Sequence, residues 1–325
     1  MEKPKARIIR DAVRRFSHLP ARTIARHIIA THGDLFDNNL ELVRSRIRKV
    51  IGQNGEHVRK HTRDKSLFRD SRKIKMPRTW RKITPPFYLK PGLWLVLSDL
   101  HIPYHEPVPI EAALQEGQAE KIDGIFFNGD IQDCASVSFW PTARRDFNAE
   151  IEAVIDFFDF VRQEFPKIMI VYKPGNHEYR LPRYFISKAP DLIETPLAAM
   201  ETVLGFEERK IEFLDYFTLV YAGRLPIVHG HEVGSITKAV NPARGLFLRT
   251  KTFGACSHCH STSEHTATTI EGKLLTTHSF GCLSDLHPEY SPFGNWNWGY
   301  GLINIEKDGS FEVTNRRVLP SGKVV

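Results

Sequence analysis

Short apolar runs that end in Asp, Asn or His side chains constrain the fold of this chain more than any other feature. LWLVLSD, GIFFNGD and KIMIVYKPG are rich in β-branched and aromatic residues, which indicates three strands. The segments between them, PVPIEAALQEGQAEK and AEIEAVIDFFDFVRQEF, have the length and apolar content of helices. This alternation predicts an α/β domain that opens with a β-α-β-α-β unit. IEFLDYFTLVYAGRLPIVHG, TTIEGKLLTTHSFG and LINIEKDGSFEVTNRRVL then indicate hairpins.

Five polar clusters follow these strand-like runs or lie between them. They read D-x-H, G-D-x-x-D, G-N-H-E, H-G-H and S-H-C-H, and they begin at Asp99, Gly129, Gly175, His229 and Ser257. Each cluster alone also fits an ordinary turn, loop or helix cap. Ligands of open α/β sheets bind outside the carboxyl ends of strands, so the clusters can converge. Carboxylate, imidazole and amide groups suit divalent Mn, Fe or Zn, and together they predict a site for two metal ions.

The order of the five clusters resembles that of the calcineurin-like metallophosphoesterases. The family motifs D-x-H, G-D-x-x-D, G-N-H-D/E, H-G and G-H-x-H are similar to DLH, GDIQD, GNHE, HG and SHCH in this chain. The chain looks most like phage- and prophage-borne members with an N-terminal helical extension, because it also carries N-P-A-R-G at 241–245 and S-E-H-T at 263–266. Ser257 stands where the family usually has Gly, and we expect a slightly altered turn there.

The resemblance implies an α/β sandwich of two mixed β-sheets flanked by helices, with the site at the strand ends. It also implies two divalent metal ions, with manganese favoured and iron, zinc or nickel as alternatives. The implied ligands are Asp99, His101 and His260 for one ion, Asn176, His229 and His258 for the other, and Asp130 as the bridge. His231 competes with His229, since both follow a strand and alternation would point both side chains the same way.

Three further residues are implied to act on the substrate. His177 would protonate the leaving oxygen or stabilise charge on the phosphate, after attack on phosphorus by a hydroxide that bridges the two ions. Asp133 would orient a metal ligand or His177. Arg180 would contact a phosphate oxygen or form a structural salt bridge. His105, His265, His278 and His287 match no motif position, and we expect them on the surface or behind the ligands.

Charge divides the chain into a basic and an acidic part. Residues 1–90 hold 24 Lys and Arg against 8 Asp and Glu, a net charge of +16, whereas residues 91–325 have a net charge of −9. Helical periodicity in SHLPARTIARHIIATHG and ELVRSRIRKVIG, with a third helix over 6–16, outlines a helix-turn-helix unit. Pro20 would start the first of these helices and Gly33 end it, and Asp37 or Asn38 would cap the second.

The domain prediction has three parts. Residues 1–59 form a basic, helix-turn-helix-like domain, residues 60–90 a basic linker with several prolines, and residues 91–325 the metallophosphoesterase domain. The linker interleaves cations with Phe68, Trp80, Phe87 and Tyr88. These aromatic residues can stack on nucleic-acid bases, although docking on the catalytic domain is the interpretation we favour.

Several classes of function are disfavoured. No apolar run reaches the ~20 residues of a membrane helix, and MEKPKARIIRDAVRRF lacks the apolar core of a secretion signal. We therefore expect a cytoplasmic protein, in a bacterial host if a phage encodes it. Cys256 and Cys259 form a C-x-x-C without the second pair of a zinc knuckle, which favours reduced thiols.

The favoured function is a phosphodiesterase that acts on nucleic acid bound by residues 1–90. The alternative is a phosphomonoesterase or small-nucleotide phosphodiesterase whose extension serves oligomerisation. GDIQDCA lacks the R-G that follows the second motif of protein Ser/Thr phosphatases, so we do not favour that activity. A non-enzymic DNA-binding regulator with a relic metal site is disfavoured because every expected ligand is retained.

Overall fold

The computed structural model describes residues 4–52, 79, 83–139, 146–234, 236, 240–289 and 291–325. The chain divides into two compact units, Met1–Arg81 and Lys82–Val325. Within the described ranges, no helix is both long enough and apolar enough to cross a membrane.

Residues 4–52, the described part of the first unit apart from Thr79, form three helices: α1 (Pro4–Arg15), α2 (Ala21–His32) and α3 (Leu40–Ile51). Their apolar stripes pack into a small core that contains Ile9, Val13, Ile24, Ala25, Ile28, Phe36, Val43 and Ile47. The predicted helices are therefore present, including the third one near the N-terminus. Helical periodicity sufficed here because each helix buries one stripe and leaves its charged face in solvent.

The predicted helix end at Gly33 is confirmed, since Gly33 is the C-cap of α2, but the predicted cap of α3 was wrong. Gly33 has a right-handed conformation (φ −52°), and a 3₁₀ turn over Gly33–Phe36 continues the chain beyond α2. Asp37 and Asn38 adopt left-handed conformations that turn the chain, so neither caps α3. Asn39 is the cap instead, because its side chain accepts a hydrogen bond of 2.9 Å from the N–H of Leu42. Gly52 ends α3 as predicted.

The second unit contains two six-stranded mixed sheets. The first has the order β1 (Phe87–Leu89), β6 (Val220–Ala222), β7 (Leu225–Ile227), β8 (Gly254–Cys256), β10 (Leu274–Ser279) and β9 (Ser263–Thr268). The second has the order β12 (Phe311–Arg317), β11 (Gly299–Ile305), β2 (Gly92–Leu97), β3 (Gly124–Asn128), β4 (Met169–Lys173) and β5 (Ile211–Phe213). The predicted hairpins β6–β7, β9–β10 and β11–β12 are antiparallel. The hairpin interpretation of β5 was wrong, because β5 pairs in parallel with β4.

Helices cover the second sheet: α4 (Pro107–Glu120), α5 (Phe147–Glu164), α6 (Arg180–Lys188) and α7 (Met200–Val203), while α8 (Pro242–Thr250) packs on the first sheet. The strand side chains alternate between two cores. Trp94 and Val96 of β2 pack between the sheets, whereas Leu95 and Leu97 pack against α4 and α5. The fold is therefore two mixed β-sheets flanked by helices, as the resemblance implied.

The sheet begins earlier than the predicted domain boundary at residue 91. Phe87–Leu89, at the end of the predicted linker, pair in parallel with β6. Leu89 is buried between the sheets, Phe87 packs against the same core, and Tyr88 stacks on Tyr221 with 5.1 Å between ring centroids. Phe87 and Tyr88 therefore dock on the catalytic unit, which is the interpretation favoured from the sequence. Phe68 and Trp80 lie outside the described residues.

Candidate metal centre

The five polar clusters converge at the carboxyl ends of β2, β3, β4, β7 and β8. Their backbones run side by side there: the N–H of Asp99 donates to the carbonyl of Gly129 at 3.1 Å, and that of His101 donates to Asp130 at 3.0 Å. Among the described residues, three groups have ligand atoms within 4.8 Å of one another: Asp99, His101 and His260; His101, Asp130 and His177; and Asp130, His229 and His258. Shared members join the three groups into one centre.

Five candidate ligands have a left-handed backbone. The φ angles are 54° for Asp99, 51° for His101, 53° for Asp130, 65° for His258 and 53° for His260. Such conformations cost of the order of 1 kcal/mol or more each in residues other than glycine. They turn the chain sharply after a strand and direct successive side chains into the same centre. Strain of this kind concentrates at functional sites.

Two glycines allow the second and third clusters to approach each other. A Cβ atom on Gly175 would lie 2.3 Å from Asp130 Oδ1, and one on Gly129 would lie 2.6 Å from His229 Nδ1. Gly129 also has a φ angle of 87°, which larger residues rarely adopt. Any side chain at either position would push the candidate bridging carboxylate away from the imidazole.

The first group is held by short contacts between buried side chains. His260 Nε2 lies 3.2 Å from Asp99 Oδ1 and 3.2 Å from His101 Nε2. Asp99 Oδ2 accepts a hydrogen bond of 3.0 Å from the N–H of His258, which ties the two clusters together. Two imidazole nitrogens and one carboxylate oxygen therefore face a common point.

The second group is arranged around Asp130. His229 Nδ1 donates to the carbonyl of Asn128 at 2.7 Å, so in the neutral ring the lone pair is on Nε2. That nitrogen lies 3.1 Å from Asp130 Oδ2, and His229 is fully buried. The other oxygen, Asp130 Oδ1, accepts a hydrogen bond of 2.8 Å from the N–H of His177. One carboxylate oxygen is thus fixed by the backbone, and the other faces an imidazole.

Buried acceptor atoms in the centre fit a pair of cations. The buried atoms that have no hydrogen-bond partner among the described residues include four that could bind a cation in the centre: Asp99 Oδ1, Asp130 Oδ2, Asn176 Oδ1 and His229 Nε2. A buried polar atom without a partner costs ~1–3 kcal/mol, and more when it is charged. Carboxylate, amide and imidazole donors are those that bind divalent transition metals. The residue set therefore fits the two metal ions that the resemblance implied.

Charges within the centre shift its protonation equilibria in opposite directions. Burial opposes ionisation of Asp99, but the adjacent His260 outweighs it and lowers the pKa to about 2. Burial also opposes protonation of His229, but Asp130 and Asp99 outweigh it and raise the pKa to about 10. Burial and the neighbouring His229 lower the pKa of His258 to about 4. The buried carboxylates of Asp99 and Asp130 thus stabilise a positive charge placed near them. A divalent cation would supply such a charge.

Asp133 lies between two histidines. Its Oδ1 is 3.0 Å from His101 Nδ1 and 2.9 Å from His177 Nδ1, so it contacts both a candidate ligand and the candidate acid. Arg180 donates to the carbonyl of Asp133 at 2.8 Å, and its other terminal nitrogen lies 3.0 Å from His177 Nε2. Burial lowers the pKa of His177, but Asp130 and Asp133 outweigh burial, so the pKa is raised overall.

His231 lies next to His229, with 5.4 Å between the two ring centroids, but outside the three ligand groups. The strand β7 ends at Ile227, and Gly230 turns the chain with a φ angle of 138° before a 3₁₀ turn begins at His231. The ring centroid of His231 also lies 6.1 Å from that of His258, so both His229 and His231 border the centre and only the positions of their ligand atoms distinguish them. His231 belongs to none of the three groups of the described residues and contacts Glu232 at 3.5 Å.

Ser257 makes one contact, through its side-chain hydroxyl, that glycine could not make. Its Oγ accepts a hydrogen bond of 3.0 Å from the side-chain amide of Asn128, and its N–H donates to the carbonyl of His229 at 2.7 Å. The side chain is fully buried. Serine at this position therefore links the ends of β3 and β8 beside the centre.

The remaining histidines lie outside the three groups of the described residues. His105 forms a bridge with Ser284, His265 contacts the ring of Phe247, and His278 lies 3.6 Å from Glu264. The four cysteines are free thiols. Burial raises the pKa of both Cys259 and Cys282 to about 12, so these thiols stay protonated at neutral pH.

Sequence reasoning missed three residues that support the centre. Glu178 is fully buried and accepts hydrogen bonds from four backbone N–H groups of the second and third clusters. Lys173 and Glu232 form an ion pair beneath His229. Two features of the sequence could have indicated them: Glu178 as the last residue of G-N-H-E, and Lys173 within the apolar run KIMIVYK. A charged residue in a buried strand needs a partner.

Several known proteins are similar to this chain. Gene 54 protein of Mycobacterium phage L5 is 24% identical over 227 residues, which cover 65% of this chain and 88% of that protein. Among solved structures, a Vps29 variant from Entamoeba histolytica is 14% identical, with 72% of this chain and 96% of that chain covered and a TM-score of 0.38. A metallophosphoesterase from Sphaerobacter thermophilus is 18% identical, with 70% and 88% covered and a TM-score of 0.36.

A family model described as calcineurin-like phosphoesterase matches residues 94–266. The match spans more than half of the chain and includes every candidate metal ligand. The chain belongs to the calcineurin-like phosphoesterase family.

Proposed function

We propose that this protein is a phosphodiesterase that uses two divalent metal ions to hydrolyse nucleic acid. The observation that carries the proposal is the position of Asp130, which belongs to two of the three ligand groups. Its Oδ2 is buried without a hydrogen-bond partner among the described residues and lies 3.1 Å from His229. A carboxylate in this position can be shared by two cations.

The proposed ligand sets are those that the family resemblance implied, and the three groups of the described residues support all of them except Asn176, whose buried Oδ1 has no hydrogen-bond partner among those residues. Asp99, His101 and His260 would hold one ion, Asn176, His229 and His258 the other, and Asp130 would bridge them. When bound, the two ions polarise the phosphoryl oxygens and lower the pKa of water, which supplies a nucleophile near neutral pH. Manganese is the ion we favour, because the donor set mixes oxygen and imidazole nitrogen.

His177 would donate the proton that the leaving oxygen takes up. Asp133 holds His177 Nδ1 at 2.9 Å, which fixes the orientation of the ring. His177 Nε2 lies 3.9 Å from Asp130 Oδ2, so this nitrogen is on the side of the proposed bridging carboxylate. Arg180 approaches the same nitrogen, and its side chain is 23% exposed. We propose that Arg180 contacts a phosphate oxygen of the bound substrate.

Charge in the first unit supports a polyanionic substrate. Residues 4–52 contain 11 Lys and Arg against 4 Asp and Glu. On α3, Arg48 and Lys49 are exposed and Arg46 is half-exposed, whereas Arg44 is hydrogen-bonded to Glu41 at 3.1 Å. Exposed cations on a helix bind nucleic acid mainly through phosphate groups. The similarity to a mycobacteriophage protein also agrees with the expected location, the cytoplasm of a bacterial host.

Hydrolysis assays with Mn²⁺ test the proposal. We expect faster hydrolysis of bis-p-nitrophenyl phosphate than of p-nitrophenyl phosphate, followed by cleavage of DNA or RNA. Preference for the monoester would indicate a phosphomonoesterase. Hydrolysis of small diesters without cleavage of single- or double-stranded DNA or RNA would indicate a small-nucleotide phosphodiesterase. DNA binding without any hydrolysis would contradict an enzymic function.

A further inference from the structure

The turn that carries His229 is held by a carboxylate outside the proposed ligand set. Glu232 accepts hydrogen bonds from the N–H groups of His229, at 3.2 Å, and Gly230, at 2.7 Å. Gly230 has a φ angle of 138°, and a Cβ atom there would lie 2.9 Å from the Cβ of His258. The turn therefore needs both the glycine and the carboxylate to bring His229 close to His258.

A buried lysine from the other sheet neutralises this carboxylate. Lys173 is the last residue of β4, its side chain is 2% exposed, and its Nζ contacts Glu232 Oε1. Burying an ammonium group without a partner is costly, so the pair is an obligatory one. Lys173 and the attraction of nearby histidines lower the pKa of Glu232 despite its burial, which keeps it ionised.

The pair is more than an ordinary cap of a short turn. A cap needs only the acceptor oxygen, and exposed turns are capped without any buried cation. Here the lysine comes from a strand 59 residues earlier, three residues before Asn176, so the pair links the turn of one proposed ligand to the strand that carries another. Buried ion pairs contribute little net stability, and fixing one geometry is a role they fulfil in some proteins.

We infer that Lys173 and Glu232 are positioning residues that set the distance between His229 and Asp130, and thereby the affinity of the second metal position. The inference rests on the proposed two-metal function. Groups that orient metal ligands from behind change metal affinity by ~10–100-fold when they are removed. The pair should act as a unit, since either residue alone leaves a buried charge without its partner.

The test is an isothermal calorimetric titration, in which Mn²⁺ alone is added to metal-free, full-length protein and the affinity of each bound ion is measured. We expect wild type to bind two ions, whereas Glu232→Gln and Lys173→Met each weaken one of the two by ~10–100-fold and leave the other unchanged. The double variant should lose no more affinity than the more affected single variant. Glu232→Asp keeps the charge but is one methylene shorter, so it should fold and show an intermediate loss.

Glu116→Gln is the matched control. Glu116 is also partly buried and paired with an arginine, Arg316, at 2.6 Å, and it contacts none of the proposed ligands. It should leave both Mn²⁺ affinities unchanged. Folded Glu232→Gln, Lys173→Met and Glu232→Asp variants with two wild-type Mn²⁺ affinities would overturn the inference, as would losses that multiply in the double variant. Wild-type protein that binds fewer than two ions would instead contradict the proposed function.

Discussion

Glu178 and Asp130 belong to different clusters, and Glu178 Oε2 accepts a hydrogen bond of 3.0 Å from the N–H of Asp130. The same carboxylate accepts from the N–H groups of Ile131 at 2.7 Å, Gln132 at 3.1 Å and Gly175 at 2.8 Å. The hydroxyl of Tyr172 donates to it at 2.7 Å. One buried side chain therefore fixes the turn that presents the candidate bridging residue and ties it to the G-N-H-E turn.

Replacing Glu178 with Gln should both destabilise the protein and weaken metal binding. The side-chain amide of glutamine places an NH₂ group opposite backbone N–H donors, so some of the buried hydrogen bonds to the carboxylate are lost. Each hydrogen bond to a charged acceptor contributes ~1.5–3 kcal/mol, and local rearrangement recovers part of that loss. We expect a loss of ~2–4 kcal/mol in the free energy of unfolding, measured by urea denaturation. Glu212→Gln, at an exposed position on β5, should change it by less than ~0.5 kcal/mol. A Glu178→Gln protein with wild-type stability would show that the carboxylate does not organise the two turns.

Asp130→Asn should abolish hydrolysis and leave the fold intact. The Oδ1 atom of asparagine can still accept from the N–H of His177, but the amide group replaces the carboxylate oxygen beside His229. An amide supplies no charge to share between two cations. Metal analysis should find fewer than two ions per chain, while the circular dichroism spectrum stays unchanged. Near-wild-type activity after reconstitution with Mn²⁺ would refute the bridging role, and Asp156→Asn on the exposed face of α5 is the control.

His177→Gln should reduce turnover by ~10²–10⁴-fold without changing the metal content. The reduction in turnover should be smallest for p-nitrophenyl esters, because a good leaving group needs little protonation. His177 also forms one of the three groups with His101 and Asp130, so its geometry is compatible with a metal ligand. Loss of one ion in the variant would assign it that role in place of the acid.

Reversing charge on α3 should impair only polynucleotide substrates. Arg46→Glu with Arg48→Glu should weaken DNA or RNA binding and make the log–log salt slope shallower by ~0.7–0.9 for each phosphate group that is no longer neutralised. Small diesters should be hydrolysed at the wild-type rate, because every proposed ligand lies in the second unit. Lys307→Glu, exposed in the β11–β12 turn, is the control.

A truncated protein offers an independent test of the same unit, but it must retain β1. Because Phe87–Leu89 pair with β6, the truncation should begin at Ile83 and not at Lys90. Equal cleavage of polynucleotides by full-length and truncated protein, at low and moderate salt, would contradict the delivery role of the first unit.

His278 should make stability fall as the pH falls below its usual pKa. Burial lowers the pKa of this imidazole from its ordinary value of 6.5, although Glu264 opposes the shift. Below pH 6.5 His278 binds a proton in the unfolded chain but not in the folded protein, which favours unfolding. The contribution of neutral His278 to the free energy of unfolding is therefore complete above pH 6.5 and is lost as the pH falls. His278→Gln should therefore lose less unfolding free energy than wild type between about pH 7 and about pH 5.5, with EDTA present throughout. His287→Gln controls for removal of an exposed imidazole, and equal losses in wild type and His278→Gln would refute the linkage.

Local sequence determined the elements and the composition of the centre. Periodicity located the helices of the first unit, and apolar runs located β2, β3 and β4, because each pattern reflects burial of one face or both. The order of the motifs identified the family, and the motifs contain every proposed ligand. These properties depend on residues close together in the chain, which is why they could be derived without a structure.

Only the tertiary structure decided how distant residues share space. It included His229 but not His231 in a ligand group, paired β5 with β4, and paired β1, which was predicted as linker, with β6. It also paired Lys173 with Glu232 and placed Glu178 beneath Asp130. No local pattern encodes these contacts, because a buried charge is stable only beside the one partner or set of N–H groups that the complete fold brings to it.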